Sequence, residues 1–114
     1  MTGCLLTVDV AHPPRHPDVV ETELDRAADR VRASASYRVM KIVHGYGSSG
    51  RGGSTREVAR NWAYRRRRGF RSVIEGETYA LDDAATGELR LTVGAYADPD
   101  LGAGNRGITI VWVK

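Results

Sequence analysis

Most of the chemistry this sequence can offer lies in one stretch, His44-Gly45-Tyr46-Gly47 followed by SSGRGG (48–53), where residues 45–53 carry five of the chain's thirteen glycines. Glycines let backbone N–H groups approach a phosphate closely. Ser54 and Glu57 then have the S-x-x-E spacing of a capping box, so a helix begins there and turns its positive end and free N–H groups toward the same loop. Arg51 and Arg56 add planar donors suited to a phosphate. The chemistry implied is anion binding by the loop Gly45–Gly53. The spacing lacks both the G-K-[ST] of a nucleotide phosphate loop and the dinucleotide pattern G-x-G-x-x-G. His44 stands where a general acid/base or a phosphate donor would stand; the structural use of such a residue is to pin the loop by hydrogen bonds. Asp9 can orient a histidine, cap a turn or bind a divalent ion such as Mg²⁺. His12 is a second candidate partner for proton transfer. With one cysteine and three histidines, a Cys/His zinc site is nearly excluded.

Charge along the chain points the same way. Residues 38–71 carry ten basic side chains and one acid, whereas residues 72–105 carry one Arg and seven acids, so the net +3 hides a strongly basic centre. Fifteen of the seventeen basic residues are Arg, the side chain whose fork suits phosphates and whose plane stacks on bases. Arg56, Arg60, Tyr64 and Arg67 share one helix face, and the run Arg65-Arg66-Arg67-Arg68 closes that helix. Either these face phosphates or they form a solvated surface. Tyr46, outside any apolar pattern, is a candidate to stack on an unpaired base.

These residues need a frame. Residues 3–10 (GCLLTVDV) read as a buried strand ending at Asp9, and 38–44 (RVMKIVH) as a second one ending at His44. Between them Val20, Leu24, Ala27, Val31 and Ala35 recur at helical spacing over 18–35, with Asp18 as the expected cap. Strand, helix, strand makes the two strands parallel and brings Asp9 and His44 to one edge of a sheet. Such edges are where open α/β sheets bind ligands. The helix from Ser54 carries Val58, Ala59 and Trp62 as its apolar stripe and ends near the Arg65–Arg68 run, with Gly69 as its C-cap. FRSVI (70–74) is a third strand, 78–96 is a short helix or a hairpin, 97–107 is a loop, and GITIVWV (107–113) is a final buried strand. Trp62 and Trp112 follow the apolar pattern and belong to the core. At 114 residues the chain is read as one domain, 1–114. No apolar run approaches the ~18–20 residues of a membrane span. The N-terminus lacks a signal-peptide pattern, so the expected compartment is the cytoplasm.

The segment VMKIVHGYGSSGRGGSTREVARNWA (39–63), with its strand, H-G-x-G loop and Arg-bearing helix, resembles the core of the small MutS-related (Smr) domain. NRGITIVWV (105–113) resembles that family's closing G-x-T-x-V strand, and LTVDV (6–10) resembles the first half of its opening L-D-x-H-G element. The resemblance implies a βαβαββ two-layer sandwich, a mixed four-stranded sheet with two main helices, like the C-terminal domain of a bacterial translation initiation factor. It also implies nucleic-acid binding, on DNA or RNA, often with endonuclease or nicking activity. Two departures stand out. The opening histidine is replaced by Ala11 or displaced to His12, and an acidic insert (75–104) precedes the last strand, where it would cover or regulate the basic face. The expected function is therefore a nucleic-acid-binding domain with endonuclease chemistry centred on His44, with Asp9 or His12 as its partner. Phosphate contacts would come from Arg51, Arg56, Arg60, Arg65, Arg66, Arg67 and Arg68, and from the loop residues Gly45, Tyr46 and Gly47. The alternatives are a module that binds nucleic acid, a ribosome or a protein and cuts nothing, and an enzyme for a small phosphorylated molecule.

Overall fold

The structure, a computed structural model, describes residues 3–46 and 54–114. Its strands are β1 (Leu5–Asp9), β2 (Val39–Val43), β3 (Ser72–Glu75) and β4 (Ile108–Trp112), and its helices are α1 (Pro17–Ala33), α2 (Thr55–Arg65) and α3 (Ala84–Val93). The sheet order is β1-β2-β4-β3. β1 and β2 are parallel, as a strand–helix–strand crossover requires, and β4 runs antiparallel to both of its neighbours. The ends of β1, β2 and β3 and the start of β4 therefore share one edge, with Asp9 opposite Val43, Val43 opposite Ile108, and Glu75 opposite Thr109.

α1 and α2 lie on one face. α1 buries Val20, Leu24, Ala27, Ala28 and Val31, the stripe its periodicity predicts. Its cap differs from expectation. His16, not Asp18, is the N-cap: His16 Nδ1 accepts the Asp18 N–H at 3.1 Å. The cause is Pro17, which has no N–H to donate and a φ already suited to the first helical position. α2 starts as predicted, with Ser54 Oγ accepting the Glu57 N–H at 3.2 Å, and it buries Ala59, Trp62 and Ala63. It stops at Arg65, at the start of the Arg65–Arg68 run, but Gly69 is not its cap. Arg66 is its C-cap, and Gly69 closes a separate 3-10 turn, Arg67–Gly69, that leads into β3.

The insert resolves into structure. Asp83 caps α3 by accepting the Thr86 N–H at 2.9 Å, so residues 84–93 form a helix and not a hairpin. Helix α3 does not lie over the basic helix α2, although Glu77 at the start of the insert pairs with Arg60. It covers the opposite face of the sheet, where Tyr79 and Leu89 pack on Val39, Ile74, Ile110 and Trp112. The expected sheet and two-helix sandwich thus carries a third layer. One close approach fixes the insert to the strand edge: a Cβ at Gly76 would lie 1.9 Å from the Asn105 carbonyl oxygen, so only glycine fits. A buried ion cluster fixes it to the sheet centre. Lys41 in β2, 7% exposed, pairs with Asp98 at 2.7 Å and with Asp100. Burial alone would pull the Lys41 ammonium down, but the two carboxylates more than offset this and keep it protonated.

Candidate nucleic-acid interface at the sheet edge

Strand β2 delivers His44 into the interior, where it is 2% exposed. Its Nδ1 lies 2.8 Å from the Gly45 carbonyl oxygen, which can only accept, so Nδ1 carries the proton. Nε2 is then an acceptor, 2.9 Å from the Thr109 hydroxyl. Thr109 Oγ1 in turn accepts from Arg60 Nε at 3.0 Å. Protons thus run in one direction, from Arg60 through Thr109 and His44 to Gly45. Burial first, then the positive charges of Arg60 and Arg56, push His44 down to about 4, outweighing the Gly45 bond that favours the charged ring. In this arrangement both ring nitrogens of His44 are engaged inside the protein and neither faces the solvent edge. The geometry is that of a loop-pinning histidine.

Gly45 adopts φ +77°, a turn only glycine takes without strain. The N–H groups of His44 and Gly45 both donate to the Gly107 carbonyl, at 2.9 and 3.0 Å. Asn105 Oδ1 accepts the Gly107 N–H at 2.8 Å, so the NRG turn is braced against the HGY turn. The Gly45 N–H expected to meet a phosphate is therefore used internally. Gly47 and Arg51 fall outside the described residues. Tyr46 is 59% exposed; its carbonyl accepts from Arg56 at 3.1 Å, and Arg106 lies 5.9 Å from its ring centre.

The other side of this edge is built by β1. Asp9 Oδ1 accepts the backbone N–H groups of Ala11 and His12 at 2.8 and 3.0 Å, forming an Asx turn. The turn swings His12 back so that its Nδ1 lies 3.0 Å from Asp9 Oδ2. A carboxylate accepts only, so Nδ1 is the protonated nitrogen and Nε2 is left free on a side chain that is 73% exposed. Slight burial would raise the Asp9 carboxyl, but the bonds from Ala11 and His12 hold it below the usual range. A Cβ built on Gly45 would lie 3.9 Å from Ala11 Cβ, so the Asp9–His12 turn and the Gly45–Tyr46 turn touch. The sequence places His12 one residue later than the family pattern, and the Asx turn returns it to Asp9. Asp9 uses its oxygens on this turn. Among the described residues no three His, Cys, Asp or Glu side chains converge on a site for a metal ion.

The arginines divide. Arg60 is a framework residue: it holds Glu77 at 2.6 and 3.1 Å, the Ile108 carbonyl at 3.1 Å, and Thr109. These partners largely enclose its guanidinium, and Arg60 holds the Glu77 carboxyl down at about 2. Arg65 pairs with Glu21 at 2.9 Å and Arg66 with Asp25 at 3.1 Å, so the acidic flank of α1 neutralises both. Arg56, Arg67 and Arg68 have no acidic partner among the described residues. Thr109 and Glu77 are the residues that sequence reasoning missed. Thr109 sits inside the G-x-T-x-V pattern, where its polar side chain in an apolar strand is a visible signal, whereas nothing near Glu77 in sequence names Arg60 as its partner.

No protein-family model matches the chain, and no curated protein does. Among solved structures, the Smr domain of Thermus thermophilus MutS2 superposes with a TM-score of 0.54 at 20% identity, covering 96% of each chain. The fold is therefore an Smr-like α/β fold. Among the described residues no helix is long and apolar enough to cross a membrane.

Proposed function

We propose that this chain is an Smr-type domain that binds nucleic acid at the edge shared by β1 and β2, and that His12 and Asp9 supply its proton-transfer pair. The observation carrying this is the exposed His12 ring, oriented by Asp9 at 3.0 Å, beside the Gly45–Tyr46 turn at the head of α2. A histidine whose Nδ1–H is held by a carboxylate presents Nε2 as a base. On RNA, His12 Nε2 takes the proton of a 2′-hydroxyl and the 2′ oxygen bonds to the adjacent phosphorus. The bond to the 5′ oxygen breaks, and that oxygen collects a proton from water. Arg56 and Arg106 hold the backbone, and Tyr46 receives a base. His44 acts through the loop it pins. A non-catalytic module is the second reading, and it draws on the engagement of both His44 nitrogens and the Gly45 N–H.

The test is an assay on labelled single-stranded RNA, single-stranded DNA and supercoiled plasmid, with Mg²⁺ and with EDTA, at two salt concentrations. The expected result is salt-weakened binding and RNA cleavage that persists in EDTA. Cleavage should fall by about 10²–10⁴-fold in His12→Ala while binding is kept. Binding without cleavage by the wild type would establish the non-catalytic module instead. Absence of binding would overturn the nucleic-acid reading altogether.

A further inference from the structure

A second surface lies away from that edge, between the C-terminal half of α2 and the outer strand β3. A groove runs there, lined by Tyr64, Arg67 and Arg71 with Arg60 and Thr109 among its lining residues. Tyr64, in the last turn of α2, is 63% exposed, an unusual degree for a large aromatic side chain on an otherwise polar helix face. The Arg67 guanidinium lies 3.8 Å from the Tyr64 ring centre and donates to the Tyr64 carbonyl at 2.8 Å, so the pair is already stacked. Arg71 also lines the groove, and its guanidinium lies 4.3 Å from the ring centre of Trp112, which belongs to the opposite face of the sheet. Neither Arg67 nor Arg71 has an acidic partner among the described residues. The one acid lining the groove, Glu75, lies 3.9 Å from Arg60.

We propose that this groove binds one unpaired nucleotide of the same strand, its base stacked on the Tyr64–Arg67 pair and its phosphates held by Arg67 and Arg71. The inference rests on the nucleic-acid reading above and adds a contact that neither the Gly45 loop nor His12 provides. Three observations select this occupant. Base faces stack on both aromatic rings and guanidinium planes, and here the two are assembled before a ligand arrives. Two cations without acidic partners line the groove, Arg67 over the Tyr64 ring and Arg71 just before β3, which suits a polyanion and disfavours a basic or apolar peptide. A base paired in a duplex keeps its faces inside its own stack, so the site selects single strands or flipped-out bases. The groove also joins the loop chemically: Arg60 and Thr109 among its lining residues are the start of the hydrogen-bond chain that ends at Gly45.

The test measures affinities of the whole chain for a single-stranded oligonucleotide and for a duplex of the same sequence. The variants are Tyr64→Ala, Tyr64→Phe and Arg71→Ala. A 2-aminopurine placed along the single strand reports stacking by its fluorescence. Tyr64→Ala should weaken single-strand binding about 5- to 100-fold and abolish the quenching of one 2-aminopurine position. Tyr64→Phe should keep both, and Tyr64→Ala should leave duplex binding within about twofold. Arg71→Ala should lower the dependence of affinity on salt by about one phosphate contact. If the wild type binds oligonucleotides and Tyr64→Ala binds the single strand equally well, the groove assignment is wrong and the edge site stands. An equal loss on single strand and duplex would also refute it. If the wild type binds neither, the nucleic-acid reading itself fails.

Discussion

Lowering the pH from 7 to 4.5 removes stability from this fold through one side chain, His44. In the unfolded chain an imidazole binds its proton from about pH 6.5. In the folded chain His44 is neutral, buried and hydrogen-bonded at both nitrogens, and it binds a proton only from about 4. Between those values the unfolded state holds one more proton, so stability is present above pH 6.5 and is lost as the pH falls toward 4. Each pH unit inside the window costs up to about 1.4 kcal/mol. Integrated from pH 7, the loss is about 1 kcal/mol at pH 5.5 and about 2 kcal/mol at pH 4.5. The carboxylates held low, Asp9, Asp100 and Glu77, lose their contribution at lower pH, so the interval from 6.5 to 5 reports His44. Urea unfolding followed by tryptophan fluorescence at half-unit steps of pH measures the slope. In His44→Gln the slope should vanish over that interval, although the variant starts less stable. Ring resonances of wild-type His44 should keep the Nδ1–H tautomer down to pH 5. Parallel stability curves for the two proteins, or a His44 ring titrating near 6.5, would refute the buried neutral histidine.

Two further perturbations test the opposite face of the sheet. Lys41→Met leaves Asp98, whose side chain is 1% exposed, without its cation, and should cost about 3–5 kcal/mol in urea unfolding. Adding Asp98→Asn to that variant should recover part of the loss, which a purely steric role of Lys41 would not allow. Gly76→Ala forces a methyl group into the Asn105 carbonyl and should cost about 3 kcal/mol or leave no folded protein, read by unfolding or by loss of the tryptophan signal.

The frame was legible because it rests on periodicity. Apolar runs at both strands, a 3.6-residue stripe in α1 and the Ser54–Glu57 spacing are local signals, and the structure follows them. Boundaries moved where two local rules competed. Pro17 outranked Asp18 at the head of α1, and Gly69, which reads as a helix cap, closes a 3-10 turn instead. The side-chain chemistry was less legible because its partners are distant in sequence. The partners of His44 and Arg60 are set by the pairing of β2 with β4 and by Glu77 in the insert. A histidine at the end of a strand reads the same in sequence whether its ring turns inward or outward. Here Thr109 on β4 turns it inward, and the exposed imidazole at this edge is that of His12, held by Asp9.

The basic centre shows why a charge count along the chain overstates an interface. Lys41 is neutralised by Asp98 and Asp100, Arg60 by Glu77, Arg65 by Glu21 and Arg66 by Asp25. Arg38 caps the backbone carbonyl of Lys114. These acids come from the negative segments on either side, so much of the charge asymmetry along the sequence closes on itself in three dimensions. The basic residues between 54 and 71 without acidic partners are Arg56 at the head of α2 and Arg67, Arg68 and Arg71 past its end. Two of them lie at exposed aromatic residues, Arg56 at the Tyr46 carbonyl and Arg67 over the Tyr64 ring. The exposed rings thus sit beside arginines that folding leaves without an acidic partner, Arg56 and Arg106 at Tyr46 and Arg67 at Tyr64, while Arg60, Arg65 and Arg66 tie α2 to the insert and to α1.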